Sequence, residues 1–293
     1  MPSNTTHFLL EPAQFRLDGG AMFGIIPKPL WSKVAPADSQ NRIQLALRLW
    51  LIKTNKQIIL VDTGIGDYHP EKFNQMFDVK TNQNPLKESL NSLGLSPNDV
   101  TDLVLSHFHF DHIGGIATIE NGNVLPVLPN AKIYYHEEHY QHALNPTQRD
   151  AGSFQKKYFE PVMDYYRQKN LLIPINGEDG KILDYEGGTL NFTCSHGHTP
   201  FLMHPFNDKY IYLTDILPTS NHIKIPWVMG YDLRPAQSTI DKKRILELTY
   251  HKKLIAIFEH DPDFWGASVE RCSKKGFIPK EKFPVQELNG YQI

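Results

Sequence analysis

The chain of 293 residues contains only two cysteines, Cys194 and Cys272, and has no excess of charge of either sign. Two cysteines are too few for a disulfide framework and fit a reducing compartment, so we expect a cytoplasmic protein. The chain has 30 Lys and Arg against 32 Asp and Glu, a formal net charge of -2. Because nucleic acids and anionic membranes attract basic surfaces, this balance argues against both as partners.

Long apolar runs and a targeting signal are also missing. The most apolar stretch, residues 43–52, is too short to span a bilayer and contains Arg48. The first 15 residues have neither the basic region nor the long apolar region of a secretory signal. Hydrophobic residues make up 40% of the chain and charged residues 21%, which is typical of a globular protein. We therefore expect one domain over residues 1–293.

Apolar segments separated by turn residues divide the chain without a linker or an internal repeat. Their spacing predicts strands at 43–54, 56–64, 100–110, 131–140 (leading into a short helix), 181–195 (a hairpin turning at 186–188), 209–215 and 253–263. Helices are predicted at 84–95, about 150–169, and 238–252. The last of these would begin with a capping pair, Ser238 and Asp241. Residues 17–41 differ from the rest, because they are predicted to form a long irregular loop extension.

Polar residues follow several of these strands directly. Asp62, His107, Asp215 and His260 each lie at the C-terminal end of an apolar strand. In open α/β sheets functional groups collect at that edge, because the strands hold them rigidly while the loops stay open to solvent. The pattern predicts a single site assembled from distant segments.

The densest group of polar side chains is the stretch SHFHFDHIGG, residues 106–115. His107 and His109 alternate along extended chain, so their side chains point the same way. Asp111 and His112 follow where the chain bends toward a helix, and the two glycines after them allow another backbone segment to approach closely. This geometry suits two metal ions. Imidazole and carboxylate ligands suit zinc, and also iron or manganese.

The segment HFHFDH resembles the H-x-H-x-D-H signature of the metallo-β-lactamase superfamily. Four further segments resemble motifs of that family in the same order: LVDTGIGD (60–67), GHTP (197–200), LTD (213–215) and FEHDP (258–262). The similarity covers about residues 40–265. It implies an α/β fold of the four-layer αββα type, in which two sheets pack face to face between two layers of helices.

The resemblance also implies a ligand set for two divalent metal ions, with zinc expected and manganese or iron as alternatives. One ion would be held by His107, His109 and His198, the other by Asp111, His112 and His260, and Asp215 would bridge both. Of these ligands, Asp111 and Asp215 are predicted to be catalytic. The implied mechanism is attack on a carbonyl or phosphoryl centre by a hydroxide that the two ions share.

Several other side chains have a functional and a structural interpretation. Asp62 would either orient metal ligands, as the resemblance implies, or form a local turn. His222 would either contact the substrate or lie in a surface loop. His196 is interpreted as a pocket neighbour of His198 and not as a ligand, and Cys194 as a core residue. Three further histidines are expected to be solvated: His136, His139 and His142.

Two aromatic segments outside the ligand set are candidates for the substrate pocket. Residues 17–41 include Phe23 and Trp31, and the helix at about 150–169 is rich in Phe and Tyr. Exposed apolar clusters usually meet a ligand or another subunit, and the alternative is an additional part of the core. The stretch GGAMFG…P…LW resembles a branch of the superfamily that contains lactonases, esterases and organophosphate hydrolases. We therefore expect a small ester, lactone or organophosphate as substrate, with a homodimer as a further option.

The chain departs from the family pattern at one point, and three other functions are alternatives to the predicted hydrolase. Many relatives have a glycine directly after the GHTP segment, where this chain has Phe201–Met203. The departure leaves His198 in place, but it makes the substrate contacts of other members a poor guide. The alternatives are a thioester hydrolase similar to glyoxalase II, a di-iron redox protein and a non-catalytic metal-binding protein. Di-iron relatives usually replace a histidine by a carboxylate, whereas His112 keeps the hydrolase pattern.

Overall fold

A computed structural model describes residues 5–286 and 290–293. The strands are β1 (Thr6–Asp18), β2 (Arg42–Lys53), β3 (Ile58–Val61), β4 (Lys80–Thr81), β5 (Asp102–Val104), β6 (Ala117–Glu120), β7 (Asn123–Pro126), β8 (Lys132–His136), β9 (Leu172–Ile175), β10 (Asp179–Tyr185), β11 (Gly188–Ser195), β12 (Leu202–Phe206), β13 (Tyr210–Tyr212), β14 (Ile255–Ile257), β15 (Phe264–Cys272), β16 (Gly276–Pro284) and β17 (Tyr291–Gln292). The helices are α1 (Gly19–Phe23), α2 (Lys28–Trp31), α3 (Glu71–Phe77), α4 (Pro85–Asn91), α5 (Phe110–Ile113), α6 (Glu137–Leu144), α7 (Lys156–Gln168) and α8 (Pro235–Lys252).

Two large mixed sheets contain most of the strands. The first sheet has the order β17-β1-β2-β3-β5-β8-β9, with β4 paired to β1, and the second runs in sequence order from β10 to β16. Strands β3, β5, β8 and β9 are parallel, as are β13 and β14. The carboxyl ends of these parallel strands therefore carry the loops that approach one another.

Three apolar layers separate the sheets and the helices. Between the sheets, Trp50 and Val61 of the first pack in one cluster with Phe192 and Tyr212 of the second. Helices α4, α6 and α7 cover the outer face of the first sheet, and α8 covers the outer face of the second. The predicted αββα sandwich is confirmed. Strand β2 is buried along nearly its whole length because both faces of its sheet are covered.

The start of α8 differs from the prediction. The helix begins at Pro235, so Ser238 and Asp241 lie inside it and do not cap it. The Ser238 hydroxyl donates to Asp232, and the Asp241 carboxylate accepts from the backbone N–H of Gly197. Proline at the first helical position is the stronger start signal. An N–H at that position would have no partner within the helix, so proline, which lacks an N–H, is well tolerated there. The predicted hairpin is confirmed, with Tyr185 opposite Gly188.

The extension at 17–41 is more ordered than the predicted loop, since it contains α1 and α2. The Asp18 carboxylate accepts from the backbone N–H of Ala21 and thereby caps α1. Phe23 and Trp31 are fully buried and stack with ring centroids 5.5 Å apart. In contrast, Ile25 is 84% exposed. The extension is therefore a layer packed against β1 and β2 of the first sheet.

In the described part of the chain, none of the helices is long and apolar enough to cross a membrane.

A fully buried arginine of the first sheet forms hydrogen bonds with a segment that follows a strand of the second sheet. The Arg48 guanidinium, in β2, donates to the carbonyl oxygens of Phe258 at 2.6 Å and Asp261 at 3.0 Å. It also pairs with the Glu11 carboxylate of β1 at 2.9 Å. Because a buried charge is tolerated only where it is paired and hydrogen-bonded, these contacts fix the segment that carries His260.

We predict that Arg48→Ala lowers the free energy of unfolding by about 3–5 kcal/mol, since it removes the cation that neutralises a buried carboxylate. Denaturant unfolding would measure the loss. The control is Arg271→Ala, because Arg271 pairs with Glu247 on the surface, where its side chain is 51% exposed. That change should leave the unfolding free energy nearly unchanged. Equal losses in the two variants would contradict a special role for Arg48.

Candidate metal centre

The histidine-rich segment leaves the sheet after β5 and enters α5. Strand β5 ends at Val104, earlier than predicted, and His109 is the extended residue directly before α5. The two glycines at the end of this segment allow the expected close approach of another backbone segment. A Cβ atom on Gly114 would lie 2.3 Å from the carbonyl oxygen of Ile65, and one on Gly115 would lie 2.1 Å from that of Thr63. A larger residue at either position would displace the loop that follows β3.

Four imidazoles converge on the Asp215 carboxylate, which lies in a 3₁₀ turn after β13. From Oδ2 of Asp215 the Nε2 atoms lie at 3.1 Å (His198), 3.2 Å (His112) and 3.5 Å (His107), and from Oδ1 the Nε2 of His260 lies at 3.0 Å. Asp215 is only 7% exposed. The carboxylate therefore connects segments from both sheets at one point.

The seven predicted ligands form two adjacent groups whose ligand atoms are close enough to hold a cation. One group is His107, His109, His198 and Asp215, and the other is Asp111, His112 and His260. All seven side chains are buried. Within the described residues, Nε2 of His109 has no hydrogen-bond partner, and Nε2 of His107 and Nε2 of His112 lie 3.5 Å and 3.2 Å from Asp215 without the geometry of a hydrogen bond. Buried polar atoms without partners are costly, so the donor set fits cations placed between these rings.

The electrostatics of the cluster also favour cations. Burial alone would lower the pKa of His198, but the carboxylates of Asp215 and Asp232 outweigh burial and raise this pKa to about 10. Burial likewise opposes the charged form of His260, whose pKa is raised to about 9 by Asp215 and other carboxylates. Burial would raise the pKa of Asp215, yet the surrounding imidazoles, His198 first, hold it well below its usual value. The site thus stabilises positive charge between the side chains.

The structure favours the ligand-orienting interpretation of Asp62. This residue is fully buried and has a φ of 60°, which directs the chain sharply after β3. Its Oδ1 accepts from the backbone N–H of Ser106 at 2.7 Å, and its Oδ2 lies 3.1 Å from Nδ1 of His112. Because these partners are more than 40 residues away in the sequence, the carboxylate does not serve a merely local turn.

Two acidic residues that contact ligand imidazoles were missed by the sequence analysis. Oδ1 of Asp232 lies 3.0 Å from Nδ1 of His198, and its Oδ2 accepts from Ser238. Oε2 of Glu259 lies 3.0 Å from Nδ1 of His112, and burial raises the pKa of this glutamate to about 7. Glu259 could have been suspected from its place beside a ligand. Asp232 follows no motif, and only the tertiary fold places it beside the imidazole.

The expectation that His136, His139 and His142 are solvated is wrong. His139 is buried, accepts from the backbone N–H of Phe108 at 3.0 Å and donates to the carbonyl oxygen of Pro200 at 2.7 Å. It therefore ties the segment of His107 and His109 to the segment of His198. His136 is buried as well, and the half-buried His142 pairs with an aspartate. These histidines lie where α6 packs against the ligand segments, which the sequence pattern did not reveal.

Three residues predicted to lie in the substrate pocket do not line it: His222, Phe23 and Trp31. His222 is fully buried, donates from Nε2 to the carbonyl oxygen of Met22 and stacks on Phe23 at 4.9 Å. The surface-loop interpretation of His222 is therefore wrong, and His222 is not among the residues that line the cavity. Phe23 and Trp31 are core residues beneath the cavity wall. His196 also does not line the cavity and contacts a glutamate instead.

Phe201, where many relatives have glycine, has a φ of 54°. A residue with a Cβ atom is strained in this left-handed conformation. The ring stacks on His136 with centroids 4.6 Å apart, and the backbone N–H donates to Nδ1 of His196. These contacts hold the conformation that glycine adopts without strain. Cys194, in contrast, is a core residue as expected.

A cavity of about 360 Å³ opens above the cluster. Its floor includes His109, Asp111, His198, Asp215 and His260. Its apolar wall comes from four separate segments and consists of Leu17, Met22, Phe77, Phe110 and Met229. An apolar cavity with a few convergent polar groups is typical of a small-molecule site.

Known proteins resemble this chain in sequence and in fold. An N-acyl homoserine lactonase, AttM of Agrobacterium fabrum, is 31% identical over 190 residues, which are 61% of this chain and 65% of that relative. A probable metal-dependent hydrolase from Staphylococcus aureus has a TM-score of 0.82 at 26% identity and covers 98% of this chain and 99% of its own.

A second solved structure, AidC, described as a dizinc quorum-quenching lactonase, has a TM-score of 0.72 at 21% identity and covers 99% of this chain and 97% of its own, which shows a shared fold. The family model described as the metallo-beta-lactamase superfamily matches residues 49–260, a range that contains all seven residues of the cluster. The chain belongs to the metallo-β-lactamase superfamily.

Proposed function

We propose that this protein is a hydrolase that uses two divalent cations to cleave small ester-like substrates, and that lactones with an apolar substituent are its main substrate class. The observation that carries the proposal is the convergence of seven buried ligand side chains at the floor of an apolar-walled cavity. A site of this kind places a polarisable bond beside cations and the rest of the substrate against an apolar surface.

The two groups of side chains would each hold one cation. The first would be held by His107, His109 and His198, the second by Asp111, His112 and His260, and Asp215 would contact both. The orphaned Nε2 atoms and the surrounding carboxylates support this assignment. Zinc suits three imidazoles with a carboxylate, and the fold is shared with a lactonase described as dizinc. Manganese and iron would accept the same donors.

The residues of the chain would have distinct tasks in the reaction. Bound cations would supply Lewis acidity and a water whose pKa is close to neutral. Asp215 turns its two oxygens toward different imidazoles, so it fixes the spacing of the two groups. Asp62 and Asp232 each contact the Nδ1 atom of a ligand imidazole and thereby hold the tautomer and orientation of its ring. Asp111 would complete the second group beside the reacting bond.

The cavity wall and the relatives support the lactone class. AttM, the relative at 31% identity, is named as an N-acyl homoserine lactonase, a protein whose substrate has a polar ring and an acyl chain. Phe77, Phe110 and Met229 offer this chain a wall against which an acyl group could pack. Esters and organophosphates present a similar electrophile and remain within the proposed class.

The proposal also covers the location of the protein in the cell, its domain organisation and its oligomeric state. A cytoplasmic location is supported by the two free cysteines, of which Cys194 is buried. One domain is supported by the pairing of β17 with β1, since it joins both ends of the chain to the same sheet. A homodimer is a further option, for which exposed apolar residues of the extension, Ile25 and Leu30, would be available.

A substrate panel tests the proposed function. We predict that protein loaded with zinc hydrolyses N-acyl homoserine lactones and p-nitrophenyl esters, and His109→Ala should reduce kcat/KM by more than about 100-fold, because it removes a ligand and not only its supporting contact. The panel should include phosphotriesters and glutathione thioesters, each assayed with zinc, manganese and iron. If fully metallated protein turned over none of these compounds, the proposal would be abandoned.

We predict that Asp232→Asn weakens zinc binding by about 10–100-fold, because it keeps the size of the side chain but removes the charge that orients His198. Competition with a chromogenic chelator measures the affinity without any assay of turnover. Asp184→Asn is the matched control, since Asp184 is an exposed carboxylate of β10. Unchanged zinc affinity in Asp232→Asn would show that this contact does not support the site.

We predict that Phe77→Ala lowers kcat/KM for a decanoyl substrate about 10-fold, which corresponds to the loss of about 1.4 kcal/mol of apolar contact. A butanoyl substrate should be affected less, because its shorter chain has less apolar surface to place against the wall. Phe206→Ala, a half-buried phenylalanine outside the cavity, is the control. A loss of the same size for both chain lengths would argue against an acyl-binding wall.

A further inference from the structure

Lys242, in α8, is a fully buried lysine that lies outside the cluster and does not line the cavity. Its Nζ donates to the carbonyl oxygens of Trp227 at 2.7 Å, Lys224 at 2.8 Å and Ile225 at 3.2 Å. Lysine is almost never fully buried unless its charge is compensated. The three carbonyl dipoles provide that compensation here, so the side chain is directed at one particular stretch of backbone.

The three acceptors match the charged form of this lysine. An ammonium group has three N–H donors and no acceptor, so each carbonyl oxygen can receive one donor, whereas a neutral amine has only two. Burial lowers the pKa of Lys242 to about 7, and the Asp232 carboxylate opposes this shift. The complete set of three hydrogen bonds is therefore expected below pH 7.

The three carbonyl oxygens belong to a short stretch that is neither helix nor strand. Residues 224–227 follow the 3₁₀ turn Ser220–Ile223 and precede α8. Since no sheet or helix ladder holds such a stretch, its backbone depends on donors from other elements. Lys242 supplies these donors and thereby fixes the stretch against α8.

The same stretch leads directly into the cavity wall. Met229 follows Trp227 by two residues, is 3% exposed and lines the cavity. The Trp227 indole packs edge-on against Phe23 of the N-terminal extension, with ring centroids 5.5 Å apart. A shift of residues 224–227 would therefore change the position of an apolar side chain that a substrate would meet.

On its other side the wall segment packs closely against the extension. The backbone N–H of Gly230 donates to the carbonyl oxygen of Ala21 at 2.7 Å. A Cβ atom on Gly24 would lie only 2.6 Å from the carbonyl oxygen of Val228. The wall segment is thus held between the extension and α8, and Lys242 makes the contact on the side of α8.

Helix α8 supports the metal cluster through a different side chain. Ser238, one turn before Lys242, donates to the Asp232 carboxylate, which contacts the imidazole of His198. Because this contact is separate, removal of the Lys242 ammonium group should affect the cavity wall and leave the orientation of His198 unchanged.

We propose that Lys242 is a positioning residue that sets the selectivity of the cavity for long acyl chains, because its ammonium group holds residues 224–227 and so keeps Met229 in the apolar wall. This inference rests on the proposed hydrolase function. Without the ammonium group, three buried carbonyl oxygens would lose a donor, and the stretch would move toward other donors or water. The apolar surface available to an acyl chain would then be smaller.

The test measures kcat/KM of the zinc-loaded protein for decanoyl and butanoyl homoserine lactones at pH 6, where Lys242 is charged. Lys242→Met keeps most of the side chain but removes its three N–H donors. We expect the ratio of decanoyl to butanoyl kcat/KM to fall about 10-fold, mainly through a higher KM for the decanoyl lactone. This factor corresponds to the contribution of about two buried methylene groups. Lys243→Met is the matched control and should leave the ratio unchanged, since Lys243 is the next residue of α8 but is exposed.

Hydrogen exchange provides a measurement that does not depend on turnover. The backbone amides of residues 227–232 should exchange about 10-fold faster in Lys242→Met than in the unaltered chain, because the segment opens more easily. The amides of β12 should exchange at the same rate in both proteins. Zinc affinity should also be unchanged, since Ser238 still holds Asp232.

A double variant shows whether the effect passes through the wall. Met229→Ala should lower the selectivity ratio by itself, and Lys242→Met should add little in that background, because both changes remove the same apolar contact. A full additional loss would overturn the proposed route through Met229. If Lys242→Met does not fold, Lys242→Gln, which retains two N–H donors, takes its place and should lower the ratio by a smaller factor.

The outcomes separate this inference from the function on which it rests. No turnover of the lactones or of the wider substrate panel by the unaltered chain would overturn the hydrolase function and, with it, the role in selectivity. Turnover with an unchanged selectivity ratio in Lys242→Met would overturn the role of Lys242 alone, whether or not hydrogen exchange is faster. A fall in zinc affinity would also overturn it, because the lysine would then act through the ligand imidazole.

Discussion

The contact of one buried carboxylate, Asp215, with imidazoles from three separate segments is the constraint on which the rest of the structure depends. A carboxylate removed from water is strongly destabilising unless positive or hydrogen-bonding groups surround it. The partners of Asp215 follow β5, β11 and β14. The two sheets must therefore align so that these loops meet at one edge. The alignment of the two sheets and the convergence of the imidazoles on Asp215 therefore depend on each other.

The alignment of the two sheets is secured by contacts that cross between them. The backbone N–H of Ala46, in β2, donates to the carbonyl oxygen of His260, and Nδ1 of His260 donates to the carbonyl oxygen of Ala46. Arg48, two residues along the same strand, holds the rest of this segment. The imidazole of His260, one of the cluster residues, is thus fixed by a strand of the opposite sheet. This arrangement explains how a buried arginine in an otherwise apolar strand is tolerated.

The segment before α8 connects the cluster to the cavity. Asp232 contacts the imidazole of His198, and the adjacent Tyr231 lines the cavity. The same segment is joined to the N-terminal extension through Gly230 and Ala21. The extension, whose aromatic residues are mostly internal, therefore acts as a support for the cavity wall.

The sequence by itself placed Asp62, His107, Asp215 and His260 at strand ends, and its resemblance to the family motifs implied the sandwich class and the full set of seven cluster residues, because motifs and local spacing are recorded directly in the order of the chain. It also placed Cys194 in the core. Only the tertiary structure revealed the contacts of Asp232 and His139, which follow no motif and gain their partners from segments distant in sequence. His222 was misplaced for the same reason, since burial is a property of packing between elements. Local patterns encode elements and motifs, whereas the neighbours of a side chain are set by how those elements pack.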